Sequence, residues 1–297
     1  MYFSLWFYRY TTRMDTIFIF FQHIVPQQLL SRCTGWLARL RHPLWLKNWL
    51  IHNFVRHFKV NMAEAENPDP TSYANFNAFF TRPLQEGARP VAEADIVCPA
   101  DGAISQLGDI TGGRIFQAKG QSFSTRELLG GDQARAAQFE DGRFATIYLS
   151  PRDYHRVHMP LAGRLTGSCY IPGKLFSVNQ VTAENVPRLF ARNERMVCYF
   201  DTEAGPMAMV LVGAMIVAGI QTVWSGQVAP PPRQAVHLDY LNLPEAVTLA
   251  KGEEMGRFML GSTVILLFPK GAMGWDPAYS AGSATRLGES LGEFVTA

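Results

Sequence analysis

Asp101, His155, His158 and Ser262 are the residues of this chain whose types and settings could do chemistry, and Gly261 belongs with them. Asp101 precedes a glycine in "PADGAIS", and the two histidines follow an apolar run in "YLSPRDYHRVHMP". Ser262 follows Gly261 in "FMLGSTVILLFP", at the mouth of an apolar, β-branched run. A carboxylate can orient an imidazole, which can take the proton of a hydroxyl and make it a nucleophile. Each residue also has a structural reading. Asp-Gly is a turn, a histidine at a strand end is a packed or hydrogen-bonded side chain, and Gly-Ser-Thr can simply open a strand. The His-x-x-His spacing has no Cys or carboxylate cluster beside it to complete a metal site. Ser262 also lacks the Gly-x-Ser-x-Gly elbow of many hydrolases. A serine ahead of a strand is poorly aimed at a carbonyl in a cleft, and well aimed at the carbonyl before it in its own chain. Gly261 has no Cβ, so it permits strained backbone angles and close approach of that hydroxyl.

The elements that must position these residues are mostly short strands. Apolar, β-branched or aromatic runs occur at residues 96–98, 114–118, 144–149, 165–171, 196–201, 207–220 (broken at Gly213) and 263–268. Gly, Pro and Asp turns separate them. Helical patterns are confined to residues 124–129, 132–139 and about 182–191, with a short aromatic helix in "SYANFNAFFTRPL" ended by Pro83. Without a regular strand–helix alternation a doubly wound sheet is excluded, and the expectation is an α+β fold with an antiparallel β core. "APPPR" at 229–233 reads as a surface loop. The cysteines, Cys33, Cys98, Cys169 and Cys198, are scattered and read as free thiols of a reducing compartment.

The N-terminal segment differs from the rest. The chain of 297 residues is 47% hydrophobic with a formal charge of +2, but no acidic residue lies between Asp15 and Glu64. Arg32, Arg39, Arg41, Lys47, Arg56 and Lys59 fall there, with Trp36, Trp45, Trp49, Phe54 and Phe58. Residues 16–31 are too short and too polar to span a bilayer. After Pro43, Leu46, Leu50, Phe54 and Phe58 recur at spacing four, which predicts an amphipathic helix lying in a membrane interface. A basic helix packed on its own domain, or on nucleic acid, is the alternative reading. Residues 1–13 suggest no role, and Met14 is an alternative start.

Taken together, "LGST" with "EMGRF" before it, "YLSPRDYHRVHMP", "PGKLFSVN", "LFARNER", "PADG" and "FNAFFTRP" resemble the phosphatidylserine decarboxylases of the bacterial membrane-associated kind. The resemblance runs from about Met14 to Phe268 and leaves the C-terminal tail largely outside. It implies self-cleavage between Gly261 and Ser262, a large fragment 1–261, a small fragment 262–297 and a pyruvoyl group made from Ser262. It carries the family's triad onto Asp101, His158 and Ser262, with His155 as proton donor in decarboxylation and Lys119 or Lys174 as phosphate contacts. Neither PLP, metal nor nucleic acid is expected, and a homodimer of fragment pairs is compatible. It also implies division into a membrane-association region, 1–66, and a catalytic domain, 67–297. The protein would lie peripherally on the cytoplasmic face of the membrane and act on phosphatidylserine there. A serine hydrolase using the same triad, and a non-enzymatic membrane adaptor, are the rival classes.

Overall fold

The computed structural model describes residues 17–215, 219–227, 234–259 and 261–295. The "APPPR" loop, Met14 and Leu260 of "LGST" lie outside the described residues. The core is built on the Ser262–Phe268 strand, in which all seven residues are buried. Successive side chains of a strand point to opposite faces. Val264, Leu266 and Phe268 therefore enter one apolar cluster, and Ile265 and Leu267 enter another. A strand covered on both faces has no place for alternation, which is why the sequence reads as an unbroken apolar run.

This strand lies inside an antiparallel sheet whose order is Val236–Asp239, Gly163–Ile171, Arg195–Thr202, Gly205–Gly213, Ser262–Phe268, Arg143–Leu149, Gly102–Asp109 and Ala284–Thr285. Thr248–Leu249 also pairs with Gly163–Ile171. One face is covered by a sheet of Gly226–Gln227, Ile220–Thr222, Glu254–Phe258 and Arg156–His158, and by a three-stranded sheet. The other is covered by short helices, Thr125–Leu128, Gln133–Ala137, Gln180–Asn185 and Leu189–Arg192. The α+β expectation holds.

Three details of the sequence reading change. The single helix expected at 182–191 is two, because Pro187 cannot donate a backbone N–H and Arg188 adopts φ +55°. The strands Gly102–Asp109 and Glu254–Phe258 escape a hydrophobicity scan because they carry Gly, Gln, Glu and Arg. The C-terminal tail is also structured. Ser290–Phe294 pairs between Ile96–Val97 and Met273–Trp275, and Ala284–Thr285 extends the large sheet.

At the N-terminus, the Gln27–Ala38 and Leu44–Phe58 helices stand against the body. No helix among the described residues is long and apolar enough to cross a membrane. The stripe Leu46, Leu50, Phe54 and Phe58 does not face outward as expected but is half-buried. Phe54 packs on Phe58, Phe76, Phe79 and Phe80, so the "FNAFF" helix, capped by Asn75, takes the rings the sequence reading gave to lipid. Lys47 is buried and donates to the carbonyls of Thr71 (2.7 Å) and Tyr73 (2.6 Å). The exposed apolar groups are others: Trp36, Trp45, Trp49, Leu29, Leu30, Leu44 and the phenylalanines of helical residues 17–24. Hydrogen bonds join the two proposed regions, Glu66 N–H to the Pro83 carbonyl and Gln85 N–H to the Glu64 carbonyl.

Candidate active site

The Gly261–Ser262 bond lies where the chain leaves the four-stranded sheet after Phe258 and enters the large sheet at Ser262. The histidine stretch makes the same crossing in reverse, from Arg143–Leu149 to Arg156–His158. Ser262 pairs with Leu149, and the Phe258 N–H donates to the His155 carbonyl (3.0 Å). Two motifs about a hundred residues apart in sequence therefore run side by side through one corner. Asp101 precedes the next strand over, with Ala103 opposite Tyr148. Two strand spacings separate Asp101 from Ser262, on the order of 10 Å.

At this corner Gly261 has φ +42°, and a Cβ built there would meet nothing within 4 Å. Backbone angle rather than space requires the glycine. Ser262 is fully buried, and its Oγ has no hydrogen-bond partner among the described residues. A buried hydroxyl left unpaired costs about 1–3 kcal/mol, so the fold keeps this oxygen at a penalty.

His155 is fully buried against the Phe80 ring, with ring centroids 4.0 Å apart. Its Nδ1 lies 2.8 Å from the Asp153 carbonyl, which can only accept, so Nδ1 carries the proton and Nε2 is bare. Nε2 is also without a partner among the described residues. Burial, helped by the Arg82 charge and opposed by the Asp153 carbonyl, pushes this imidazole down to about 3. His158 donates from Nδ1 to the Gly252 carbonyl (2.8 Å), and its Nε2 faces the Tyr154 hydroxyl at 3.2 Å. Burial lowers its pKa as well, against the opposing Gly252 carbonyl and the charges of Glu254 and Asp101.

Asp101 makes no hydrogen bond to either histidine among the described residues. Its carboxylate is forked by Arg89 (2.6–3.1 Å) and takes the Leu287 N–H (2.8 Å). It reaches His158 through its charge instead of through contact. Gly102, read from the sequence as a turn residue, opens a strand, and a Cβ there would lie 2.3 Å from the Tyr148 carbonyl oxygen. Gly102→Ala is expected to destabilise the fold by about 1–3 kcal/mol, read as a lowered thermal midpoint.

An apolar cavity of about 510 Å³ reaches the corner. Leu37, Leu50, Phe54 and Phe80 line it, with Met215 and Gly261 at the far wall. Neither lysine proposed from sequence lines it. Lys119 is mostly exposed and paired with Glu184, and Lys174 is exposed on a cleft with Arg32 and Arg192.

A family model described as phosphatidylserine decarboxylase matches residues 76–293, and a second, described as PSD, matches residues 17–59. The chain belongs to the phosphatidylserine decarboxylase family. A phosphatidylserine decarboxylase proenzyme of Azotobacter vinelandii is 58% identical over 282 residues, 94% of this chain and 98% of that protein. One of Stutzerimonas stutzeri is also 58% identical, covering 94% and 95% respectively. One of Marinobacter nauticus is 56% identical, covering 94% and 98%. The match extends into the C-terminal tail, to residue 293, beyond the limit read from the sequence motifs.

Sequence reasoning missed Arg89, Tyr154 and Phe80 as neighbours of these groups. Tyr154 and Phe80 stood within quoted motifs, whereas nothing in the sequence marks Arg89 as the partner of Asp101. The buried neutral His155 carries a pH signature. Its folded pKa lies below the ordinary 6.5, so the unfolded chain binds the extra proton. The stability due to this burial is complete above about pH 6.5 and is lost as pH falls toward 3. Between pH 6.5 and 5 the wild type is expected to lose about 2 kcal/mol from this group. Urea unfolding of wild type and His155→Phe across that range checks it, and an equal loss in both would assign it elsewhere.

Proposed function

We propose that this chain is a proenzyme that cuts itself between Gly261 and Ser262, then decarboxylates phosphatidylserine to phosphatidylethanolamine. The observation that carries the reading is the unpaired, buried Ser262 Oγ next to left-handed Gly261, at the end of an apolar cavity. Ser262 Oγ attacks the Gly261 carbonyl carbon, the peptide C–N bond breaks, and an ester replaces the amide while the nitrogen becomes an amine. Removal of the Ser262 α-proton expels the Gly261 carboxylate, and water then displaces the nitrogen as ammonia. His158 Nε2 is the base, freed when the Tyr154 hydroxyl turns aside, and the Asp101 charge favours its protonated form.

Residue 262 fits the pyruvoyl group that results, since its position is buried and the strand behind it is paired on both sides. The pyruvoyl ketone, joined to the following amide, supplies an electron sink for the pair released with carbon dioxide. His155 begins neutral with Nε2 bare. It takes a proton from the substrate ammonium group and returns it to the α-carbon once the carboxylate has left. The test is incubation of purified protein with phosphatidylserine vesicles. Carbon dioxide and phosphatidylethanolamine are expected in equal amounts, and release of free serine would instead indicate hydrolysis.

The lipid headgroup lies at a membrane surface, and residues 1–66 form the membrane-association region in this reading, 67–297 the catalytic domain. Trp36, Trp45 and Trp49 are 67%, 71% and 58% exposed, and tryptophan favours the headgroup level of a bilayer. The basic segment around them suits the anionic cytoplasmic leaflet. Replacing all three by alanine is expected to weaken sedimentation with anionic vesicles at least about tenfold while leaving self-cleavage intact. Equal binding would place the membrane contact elsewhere.

A further inference from the structure

The "FFTRPL" stretch has one member that the chemistry above leaves unused. Arg82 is 3% exposed, yet its Nε has no hydrogen-bond partner and it forms no ion pair among the described residues. Arg195, the other buried arginine among the described residues, and the half-buried Arg89 and Arg156 are satisfied. Arg195 donates to the carbonyls of Leu128, Asn193 and Glu127 at 2.7–2.8 Å. Arg89 is engaged by Asp101, Glu64 and the Ala88 carbonyl. Arg156 holds Glu254 and the Thr81 carbonyl. Arg82 lies over the Phe79 ring at 5.5 Å and feels the charges of Asp101 and Glu64 only at a distance; a buried guanidinium with no anion in contact is expensive.

Arg82 faces a cavity of about 190 Å³ with Lys59 and Arg152. The carboxylates around it are already committed. Asp101 and Glu64 are held by Arg89, with Arg286 also on Glu64. Asp153 accepts the Ser150 N–H and pairs with Arg152 at 3.7 Å, and burial raises its pKa. The cavity is left with excess positive charge. It also borders the reaction corner, because Asp101 and Tyr154 line it and the Asp153 carbonyl holds His155.

We infer that Arg82 binds the phosphodiester of the phospholipid headgroup, with Lys59 and Arg152 at the rim. The inference rests on the decarboxylase reading. A guanidinium presents a fork that matches two phosphate oxygens. The substrate's own carboxylate is the wrong occupant, since a cation holding it would stabilise the group that must leave and raise the barrier. The phosphodiester keeps its charge throughout, so binding it positions the amino acid without that penalty. The bound phosphate also screens the Arg82 charge from His155, which eases the protonation of Nε2 that the reaction requires. Arg82 replaces Lys119 and Lys174 as the phosphate contact.

The experiment uses Arg82→Gln and Arg82→Lys in the full chain, first read for self-cleavage by intact mass, then assayed with dispersed short-chain phosphatidylserine. Arg82→Gln is expected to be cut like wild type and to raise KM about tenfold to a hundredfold with kcat little changed; Arg82→Lys should recover part of the loss. Inorganic phosphate should raise the apparent KM of wild type and not that of Arg82→Gln. An unchanged KM in Arg82→Gln, or a fall in kcat alone, overturns the assignment. If phosphate changes the wild-type kcat and not its KM, the cavity is a free-phosphate site and the headgroup assignment fails. If Arg82→Gln is not cut, Lys59→Ala and Arg152→Ala at the exposed rim decide: a raised KM supports the site, and normal KM values in both refute it. A failure of the decarboxylase reading itself would show in the wild type, as absence of activity.

Discussion

Ser262→Ala is expected to yield one species of 33.2 kDa, with no decarboxylase activity, where the wild type yields fragments 1–261 and 262–297. In the proposed mechanism the hydroxyl is the nucleophile of cleavage, and its departure with the Gly261 carboxylate is what converts residue 262 to the pyruvoyl group, so its loss removes two functions together. The fold should tolerate the change. Oγ has no partner to lose, and alanine relieves an unpaired buried hydroxyl, so stability is expected to stay equal or rise by about 1 kcal/mol. Ser262→Cys keeps a nucleophile and should cut slowly. Intact-protein mass spectrometry reads all three, with the small wild-type fragment blocked to N-terminal sequencing. Active protein that remains one chain with unmodified Ser262 would end the pyruvoyl reading.

Cleavage is not expected to free the small fragment, given the packing. Its first strand pairs with Arg143–Leu149 on one side and Gly205–Gly213 on the other. Val264, Ile265, Leu266, Leu267 and Phe268 are each fully buried, and each contributes about 1.5–3 kcal/mol on burial. The tail adds further ties, since the Leu287 N–H donates to Asp101 and Thr285 donates to the Ala100 carbonyl. These contacts connect the small fragment directly to the carboxylate of the proposed triad. They also explain why a tail with little apolar pattern is ordered.

The sequence made the inner strands legible because burial on both faces leaves no compositional ambiguity, and their bounds shift by only a residue or two, except that of the 214–220 half of the run broken at Gly213 only Ile220 is in a strand among the described residues. It made the reacting residues legible as motifs but not as contacts. That the Ser262 and histidine stretches run side by side depends on two chain crossings at one corner, which is a property of sheet topology. The Asp101–His158 contact suggested by residue types is absent because Arg89 reaches Asp101 first, and no local pattern announces a partner twelve residues away. The N-terminal helix was read correctly as amphipathic and incorrectly in its facing. Spacing alone cannot say whether a row of phenylalanines meets lipid or the rings of Phe76, Phe79 and Phe80.

The two histidines should separate cleavage from turnover. His158→Ala is expected to accumulate uncut chain, because its Nε2 is the base for both the attack and the elimination. General-base removal costs about a hundredfold to ten-thousandfold, enough to leave mostly proenzyme after purification. His155→Ala is expected to cut and then decarboxylate slower by a similar factor, since both the removal of the ammonium proton and its return to the α-carbon are lost. The environments support this division. His158 keeps one nitrogen on Gly252 and the other on the Tyr154 hydroxyl, whereas His155 Nε2 has no partner among the described residues and its ring lies against Phe80. Tyr154→Phe sharpens the test: without its hydroxyl on Nε2, cleavage should be as fast as in wild type or faster. Fragment appearance over time and single-turnover release of carbon dioxide measure the two steps separately. Normal cutting in His158→Ala, or full turnover in His155→Ala, would reassign the corresponding proton.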